Sequence, residues 1–346
     1  MKKGRRMDHG GDIISAARRF GIDPGDMLDL STGISPRPWP VPAPLHDPVQ
    51  WQSLPQKEDE ERLKDQARQA WSLADDAAIA TAPGSQILIS LLPMLRGGAR
   101  VFIPSPAYSE HGKAWQNAGH EIITYPAGDL PACPGGGSVL EVLIAVQPGN
   151  PLGEVVPVAV LAERAAQLAE KGGVVVVDEA FIDVMPGMSL APYAGRPGLV
   201  VLRSFGKFYG LAGLRLGMAI GCAEDIAKLE LLLGPWATST PALRIGAAAI
   251  ADTAFAEDQR AFLAAGCLRL KAMLDRHGLA VIGGTDLFVL AEVPKAAALQ
   301  DHLARQGIWT RVFPDAPGWI RFGLPGEAED EGRLDRALTD WRQHSK

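Results

Sequence analysis

The fifteen residues from Arg203 to Gly217, RSFGKFYGLAGLRLG, hold the densest chemistry in this chain. Leu199, Val200, Val201 and Leu202 precede them as a short apolar run that reads as a buried strand, and 216–220 reads as a second one. Between the two lies a loop of small residues, with Ser204 at its start and Lys207 and Arg215 eight positions apart. A lysine held between apolar strands is largely desolvated, and desolvation lowers an amine's pKa toward the range where it attacks carbonyl carbons. Arg215 supplies a rigid fork of donors and Ser204 a hydroxyl, both suited to a phosphate. The plainer alternative is a glycine-rich connection carrying ordinary solvated cations.

A nucleophilic amine beside a phosphate cradle is what pyridoxal phosphate (PLP) requires. Three other stretches supply what else it needs. Ala78–Ala82 reads as a strand, Pro83-Gly84-Ser85-Gln86 as a turn and 87–95 as a helix. Such a junction aims free backbone N–H groups and the positive end of the helix dipole at an anion, although taken alone it is also an ordinary helix start. Val174, Val175, Val176 and Val177 read as a strand buried on both faces of a parallel sheet, and Asp178 ends it. Doubly wound folds place ligand contacts at such carboxyl ends, and the PLP ring nitrogen needs a carboxylate to stay protonated. Asn150, in the turn that follows a strand over 138–146, fits a hydrogen bond to the cofactor's 3′-oxygen.

The spacing Asn150, Asp178, Lys207, Arg215 resembles the fold-type I PLP enzymes, in the group that holds the histidinol-phosphate aminotransferases and the threonine-phosphate decarboxylases. The resemblance implies Lys207 as the Schiff-base lysine and Asp178 as the partner of the ring nitrogen. It further implies Ser204, Arg215, Gly84, Ser85 and Gln86 around the phosphate, with Tyr108 stacked on the ring. Two positions depart from the pattern. Gly206 stands where many relatives have Ser or Thr, and Phe181 where transaminating relatives often have Tyr.

The opening His9-Gly10-Gly11-Asp12 and the later Ser31-Thr32-Gly33 resemble the start of the threonine-phosphate decarboxylases. That resemblance implies that His9, Thr32 and Gly33 face the substrate phosphate; on local sequence His9 is equally an exposed turn histidine. Arg321, within Trp319-Ile320-Arg321-Phe322-Gly323, alternates with bulky apolar residues and so points away from their face. In the family an arginine here clamps the substrate carboxylate, Arg311 helps bind substrate anions, and Asn150 also faces the substrate.

Positioning these groups calls for an α/β architecture, a large and mostly parallel sheet domain with a smaller α+β domain. The expected division is an N-terminal arm over 1–35, a PLP-binding domain over 36–240 and a C-terminal domain over 241–346. Helices are expected over 13–20, 58–73, 109–118, 157–171, 224–233, 241–252, 257–277, 295–306 and 329–343. Further strands are expected at 100–104, 121–125, 286–293, 308–313 and 318–323. The region 36–55 holds seven prolines and is expected to be extended.

With 346 residues the chain is long for one core and suits two lobes. A net charge of −6 gives no basic footprint for nucleic acid. No apolar run is long enough to span a membrane, and no apolar signal core follows the basic start. Cys133, Cys222 and Cys267, odd in number and without CxxC pairing, read as reduced thiols of a cytoplasmic protein.

The function implied by the resemblance is PLP-dependent decarboxylation of L-threonine O-3-phosphate to (R)-1-aminopropan-2-ol O-2-phosphate and CO2 in cobalamin biosynthesis, by a homodimer. The alternative is a histidinol-phosphate-type aminotransferase. Against it stand the HGG opening, Phe181, and Leu54, where those enzymes commonly supply a tyrosine to the neighbouring subunit. A non-catalytic PLP-fold binding protein is the third possibility, and the presence of Lys207 speaks against it.

Overall fold

The computed structural model describes residues 10–131 and 139–344; His9, Cys133, and the Gly135-Gly136-Gly137 stretch lie outside the described residues. The first helix, α1 (Ile13–Phe20), is capped by Asp12, whose carboxylate accepts the Ser15 N–H, and is closed by Gly21 at φ 69°. Its Ala16 and Ala17 pack with Met27 and Trp309. A two-residue strand, β1 (Leu28–Asp29), follows. The proline-rich region, expected to be extended, folds two short 3-10 turns at Ala43–His46 and Pro48–Trp51. Each has a proline in its first two positions, where the fixed φ suits a helical start and no N–H is needed.

The chain then runs through α2 (Lys57–Ala70), β2 (Ala78–Ala82), α3 (Ser85–Leu91), β3 (Arg100–Ser105), α4 (Ser109–Asn117) and β4 (Glu121–Pro126). It continues through β5 (Glu141–Val146), α5 (Val158–Ala169), β6 (Val174–Asp178), β7 (Leu199–Ser204), β8 (Gly217–Gly221), α6 (Ala223–Leu233) and α7 (Thr240–Ala251). The remaining elements are α8 (Thr253–Arg276), β9 (Ala280–Thr285), β10 (Phe288–Glu292), α9 (Ala296–Arg305), β11 (Ile308–Trp309), β12 (Arg311–Phe313), β13 (Ala316–Gly323) and α10 (Ala328–His344).

Contacts divide the chain into two units. The larger is Pro38–Asp258; the smaller takes the chain up to Arg37 and from Gln259 onward. In the larger unit seven strands form one sheet in the order β2-β8-β7-β6-β5-β3-β4. Only β8 runs against its neighbours. The alternate residues Val174, Val176, Val200, Leu202, Val142 and Ile144 pack with Leu88, Trp115 and Ile226 from α3, α4 and α6. The intervening residues of β6, Val175 and Val177, are equally buried, and α5 packs against β6 and β7. That is why this strand reads as an unbroken run of valines, each contributing roughly 1.5–3 kcal/mol as an upper estimate.

The smaller unit is a four-stranded antiparallel sheet in the order β12-β13-β10-β9, with β1 and β11 forming a parallel pair. β9 has no counterpart among the expected strands. Its sequence AVIGGT neither alternates nor forms an apolar run, and Gly284 (φ 136°) sits where a methyl would overlap the Phe288 backbone. The expected strand over 308–313 divides at Thr310 into β11 and β12, which belong to different sheets. No helix among the described residues is long and apolar enough to cross a membrane.

Candidate active site

The register of the large sheet gathers the candidate phosphate ligands. Gly217, which opens β8, pairs with Ala82 at the end of β2 on one side and with Ser204 at the end of β7 on the other. Three strand ends therefore meet at one level, and the Gly84–Ser85 turn, Ser204 and Arg215 all emerge there. Glycine is required twice. A methyl on Gly217 would overlap the Ser85 amide, and one on Gly84 (φ 90°) would overlap the Arg215 guanidinium. Arg215 itself adopts a left-handed backbone, φ 52° and ψ 59°, which costs a non-glycine residue about 1 kcal/mol or more. It stays exposed, one Nη donating to the Ala212 carbonyl at 3.1 Å. Helix α3 begins at Ser85, two residues earlier than expected, and no side chain caps it. Its last expected turn, Leu92–Leu95, is 3-10.

Asp178 ends β6, buried to 4% exposure. One carboxylate oxygen accepts the Ala180 N–H at 3.0 Å, and the other faces Nε2 of His111 at 2.9 Å. With the carboxylate ionised, Nε2–H of His111 is the donor, and each carboxylate oxygen keeps a further acceptor site. The sequence reading missed His111, which is 1% exposed on the inward face of α4. Its only signal was a histidine at helical spacing from Trp115, three residues after Tyr108. The Tyr108 hydroxyl donates to Gln86 Oε1 at 2.8 Å, and its ring meets His111 edge-on with centroids 6.3 Å apart. Gln86, Tyr108, His111 and Asp178 thus form a continuous line from the phosphate end to the carboxylate. Lys207 places Nζ 5.7 Å from the centre of the Phe181 ring. Asn150 is half-buried in a loop that Gly149 closes by donating to the Glu154 carbonyl at 2.8 Å.

A second cluster missing from the sequence reading lies directly behind these anchors. Glu179 and Arg203, each next to an anchor in sequence, form a buried ion pair completed by Asp183 and Ser189. The Trp71 ring covers the guanidinium at 4.1 Å. Burial pushes the Glu179 carboxyl up, and the Arg203 charge works against that. The pair ties the ends of β6 and β7 together, so Asp178 and Ser204 cannot slide independently.

In the smaller unit, Arg321 is 7% exposed and donates to the Ser31 carbonyl at 2.8 Å. Arg311 pairs directly opposite it across the β12–β13 ladder. Burial first, then the Arg311 charge, lowers the Arg321 pKa to about 10, with Asp29 opposing the shift. Gly11 donates to Ser31 Oγ at 2.8 Å, and Gly10 has no room for a methyl against the Ser31 carbonyl. The Gly10-Gly11 turn, Thr32, Gly33 and Arg321 are therefore brought together, while His9 lies outside the described residues.

The larger unit's groups fit PLP: a cradle that any Cβ would fill, an arginine and a serine at the phosphate end, an amine, and a buried carboxylate for a cationic ring nitrogen. The family description "Aminotransferase class I and II" matches residues 56–338. The chain is 42% identical to the threonine-phosphate decarboxylase of Pseudomonas aeruginosa over 97% of its own length and 98% of the relative's. It is 32% identical to the histidinol-phosphate aminotransferase of Symbiobacterium thermophilum over 80% and 79%. Among solved structures it resembles the histidinol-phosphate aminotransferase of Sinorhizobium meliloti in complex with pyridoxal 5′-phosphate, at a TM-score of 0.85, 21% identity, and coverage of 99% and 96%. It also resembles the L-threonine-O-3-phosphate decarboxylase of Porphyromonas gingivalis, at a TM-score of 0.76, 18% identity, and coverage of 92% and 100%. The chain belongs to the class I and II aminotransferase family.

Proposed function

We propose that this chain is a PLP-dependent threonine-phosphate decarboxylase, converting L-threonine O-3-phosphate to (R)-1-aminopropan-2-ol O-2-phosphate and CO2 for cobalamin biosynthesis. The observation that carries this choice is the 42% identity to a threonine-phosphate decarboxylase over nearly the whole chain, and the arginine pair of the smaller unit fits a substrate with two anionic groups. Two guanidinium groups directly opposite each other in a strand pair repel, and a substrate bearing both a carboxylate and a phosphate neutralises both. The 2-oxoglutarate and glutamate of an aminotransferase also carry two anionic groups, so the pair supports a dianionic substrate and does not by itself choose between the two reactions.

PLP, when bound, supplies the electron sink. Ser204, Arg215 and the Gly84-Ser85-Gln86 turn hold its phosphate, Asp178 with His111 behind it holds the ring nitrogen protonated, Asn150 contacts the 3′-oxygen and Tyr108 stacks on the ring. Lys207 would anchor the cofactor through its amine and, once freed by the substrate amine, would carry the proton that replaces CO2 at Cα. Arg321 clamps the carboxylate and fixes which Cα bond stands perpendicular to the ring; Arg311, Thr32, Gly33, and His9 hold the phosphate end. Because Phe181 has no hydroxyl, the 3′-oxygen has one donor fewer than in relatives with tyrosine.

The protein acts in the cytoplasm as a homodimer. Supporting the dimer, Trp51 (71% exposed) and Leu54 (58%) lie beside a Ser53–Thr240 hydrogen bond of 3.1 Å, with Trp236 also exposed nearby in sequence. The free thiols of Cys222 and Cys267 accord with a reducing compartment. The test is incubation of PLP-loaded protein with L-threonine O-3-phosphate and no keto acid. Repeated release of CO2 is the expected result. Absence of CO2, with glutamate formed from histidinol phosphate and 2-oxoglutarate, overturns the decarboxylase reading in favour of an aminotransferase.

A further inference from the structure

Asp29, the second residue of β1, sits where three segments of the smaller unit meet: the Gly10-Gly11 turn, the Ser31-Thr32-Gly33 stretch and the end of β13. The backbone around it is fixed on both sides. Leu28 donates to the Gly307 carbonyl at 2.8 Å and Leu30 to the Trp309 carbonyl at 2.7 Å. Gly323, the last residue of β13, donates to the Leu30 carbonyl at 2.7 Å, and a methyl on Gly323 would overlap the Thr32 carbonyl oxygen. Within this frame Asp29 Oδ1 accepts two bonds from Ser31, the backbone N–H at 2.8 Å and the hydroxyl at 2.6 Å. Ser31 Oγ accepts the Gly11 N–H at 2.8 Å, and the Ser31 carbonyl accepts Nη of Arg321 at 2.8 Å. Ser31 is fully buried, so its hydroxyl is committed to these two partners and offers nothing to a ligand. Arg321 also has the Phe288 ring 4.8 Å from its guanidinium carbon; Ser31 adds the bond that connects it with the Gly10-Gly11 turn. Asp29 lies close enough for its charge to act on Arg321 as well.

We propose that Asp29 is a positioning residue: by holding Ser31 it fixes Thr32 and the Gly10-Gly11 turn relative to the Arg321 guanidinium, so that the carboxylate and phosphate ends of a substrate are received at a set separation. The inference rests on the reading of Arg321 and Thr32 given under the proposed function. Asp29 acts on an arriving anion in two ways of opposite sign. Its charge weakens the pull of Arg321 on that anion, as any like charge nearby does. Its hydrogen bonds strengthen binding, because donors and acceptors already in place lose less freedom when the substrate arrives. A KM that rises when Asp29 is removed therefore reports lost geometry and not lost charge.

The test compares Asp29→Ala and Asp29→Asn in the PLP-loaded protein. It reads amide hydrogen exchange of a peptide spanning Gly11, together with KM and kcat for CO2 release from L-threonine O-3-phosphate. Asp29→Ala is expected to speed exchange of that peptide and to raise KM, each about tenfold, with kcat within about threefold of the parent and exchange elsewhere unchanged. Asp29→Asn keeps the acceptor Oδ1 and loses the charge, so parent-like exchange and a KM at or below the parent's are expected. Should Asp29→Ala fail to fold, Ser31→Ala removes the hydroxyl between Asp29 and Gly11, leaves the backbone carbonyl to Arg321, and reads the same quantities. Unchanged exchange in Asp29→Ala overturns the tie to the turn. Faster exchange with an unmoved KM, or a KM raised equally in Asp29→Asn, overturns the positioning role. A parent that releases no CO2 overturns the decarboxylase reading, and the exchange data then support or overturn the tie by themselves.

Discussion

Gly217→Ala tests whether strand register builds the phosphate cradle. An added Cβ at Gly217 would overlap the Ser85 amide nitrogen and stand 2.7 Å from the Gly84 carbonyl carbon and 2.9 Å from the Ser85 Cα. All three are backbone atoms, which cannot rotate aside as a side chain can. The methyl must therefore push the Gly84–Ser85 turn outward, and overpacking of this kind costs about 1–3 kcal/mol. If the turn relaxes most easily where it faces the cofactor phosphate, the cost appears in binding. At about 1.4 kcal/mol per tenfold, the PLP dissociation constant rises roughly 5- to 140-fold. The assay is titration of apoprotein with PLP followed by visible absorbance, beside urea unfolding of the same apoprotein. Gly213→Ala is the control: it lies in the same loop, with no heavy atom within 4 Å of its Cβ position. It is expected to bind PLP within about twofold of the parent. A Gly217→Ala protein that binds PLP as tightly as the control refutes the argument, whether or not its stability has fallen.

Three further outcomes are expected. Asp178→Asn keeps the size of the side chain and loses its charge, so kcat for CO2 release falls by roughly 10²-fold or more while the far-UV circular dichroism is unchanged; retention of full kcat would rule out Asp178 as the ring partner. Arg321→Lys replaces a fork by a point charge, and KM for L-threonine O-3-phosphate rises about tenfold in steady-state CO2 assays. Lys64, between Glu60 and Glu230 at 3.1 Å each, has its pKa raised above the ordinary 10.5 because the two carboxylates outweigh burial. A raised amine contributes stability that is complete below the unfolded pKa and lost as pH climbs through the folded one. The Tm gap between the parent and Lys64→Met is therefore expected to close as pH rises above the ordinary lysine value of 10.5, and a gap that widens there would contradict the assignment.

What the sequence made legible follows from where signals are local. Val174 to Val177 announce a doubly buried parallel strand because four consecutive positions are apolar and β-branched, and β6 has all five residues buried, Asp178 included. Lys207 and Arg215 were legible for the same reason, since a loop between two apolar strands leaves its cations in view. His111 was not, because a histidine on a helix carries no local mark of what it faces; its meaning comes from Asp178, distant in sequence. The Glu179–Arg203–Asp183 cluster was hidden likewise, since charges at strand ends look solvated until the chain is folded over them. β9 was missed because Gly284 serves a close backbone approach and, with Gly283 beside it, breaks the alternation that reveals strands.

The large sheet also explains why the cofactor residues alone say little about the reaction. Asp178, Ser204 and the Gly84–Ser85 turn are fixed to one another by ladder hydrogen bonds and by the Glu179–Arg203 pair. A group held there would take the same pose whether CO2 or a proton leaves Cα. Reaction choice must then fall to residues that turn the substrate about its bond to the cofactor. Arg321 is suited to this because its freedom is already spent: the Ser31 carbonyl holds one Nη, the Phe288 ring lies 4.8 Å from its guanidinium carbon, and Arg311 stands opposite. Burying that cation beside a like charge costs the free protein stability, as the lowering of its pKa to about 10 indicates. In the proposed function a substrate carboxylate at Arg321 would offset that cost, so part of the binding energy would be realised only by substrates that carry one. Under the proposed function, the cost of burying Arg321 beside Arg311 would become selectivity for an amino acid over its decarboxylated or reduced analogues.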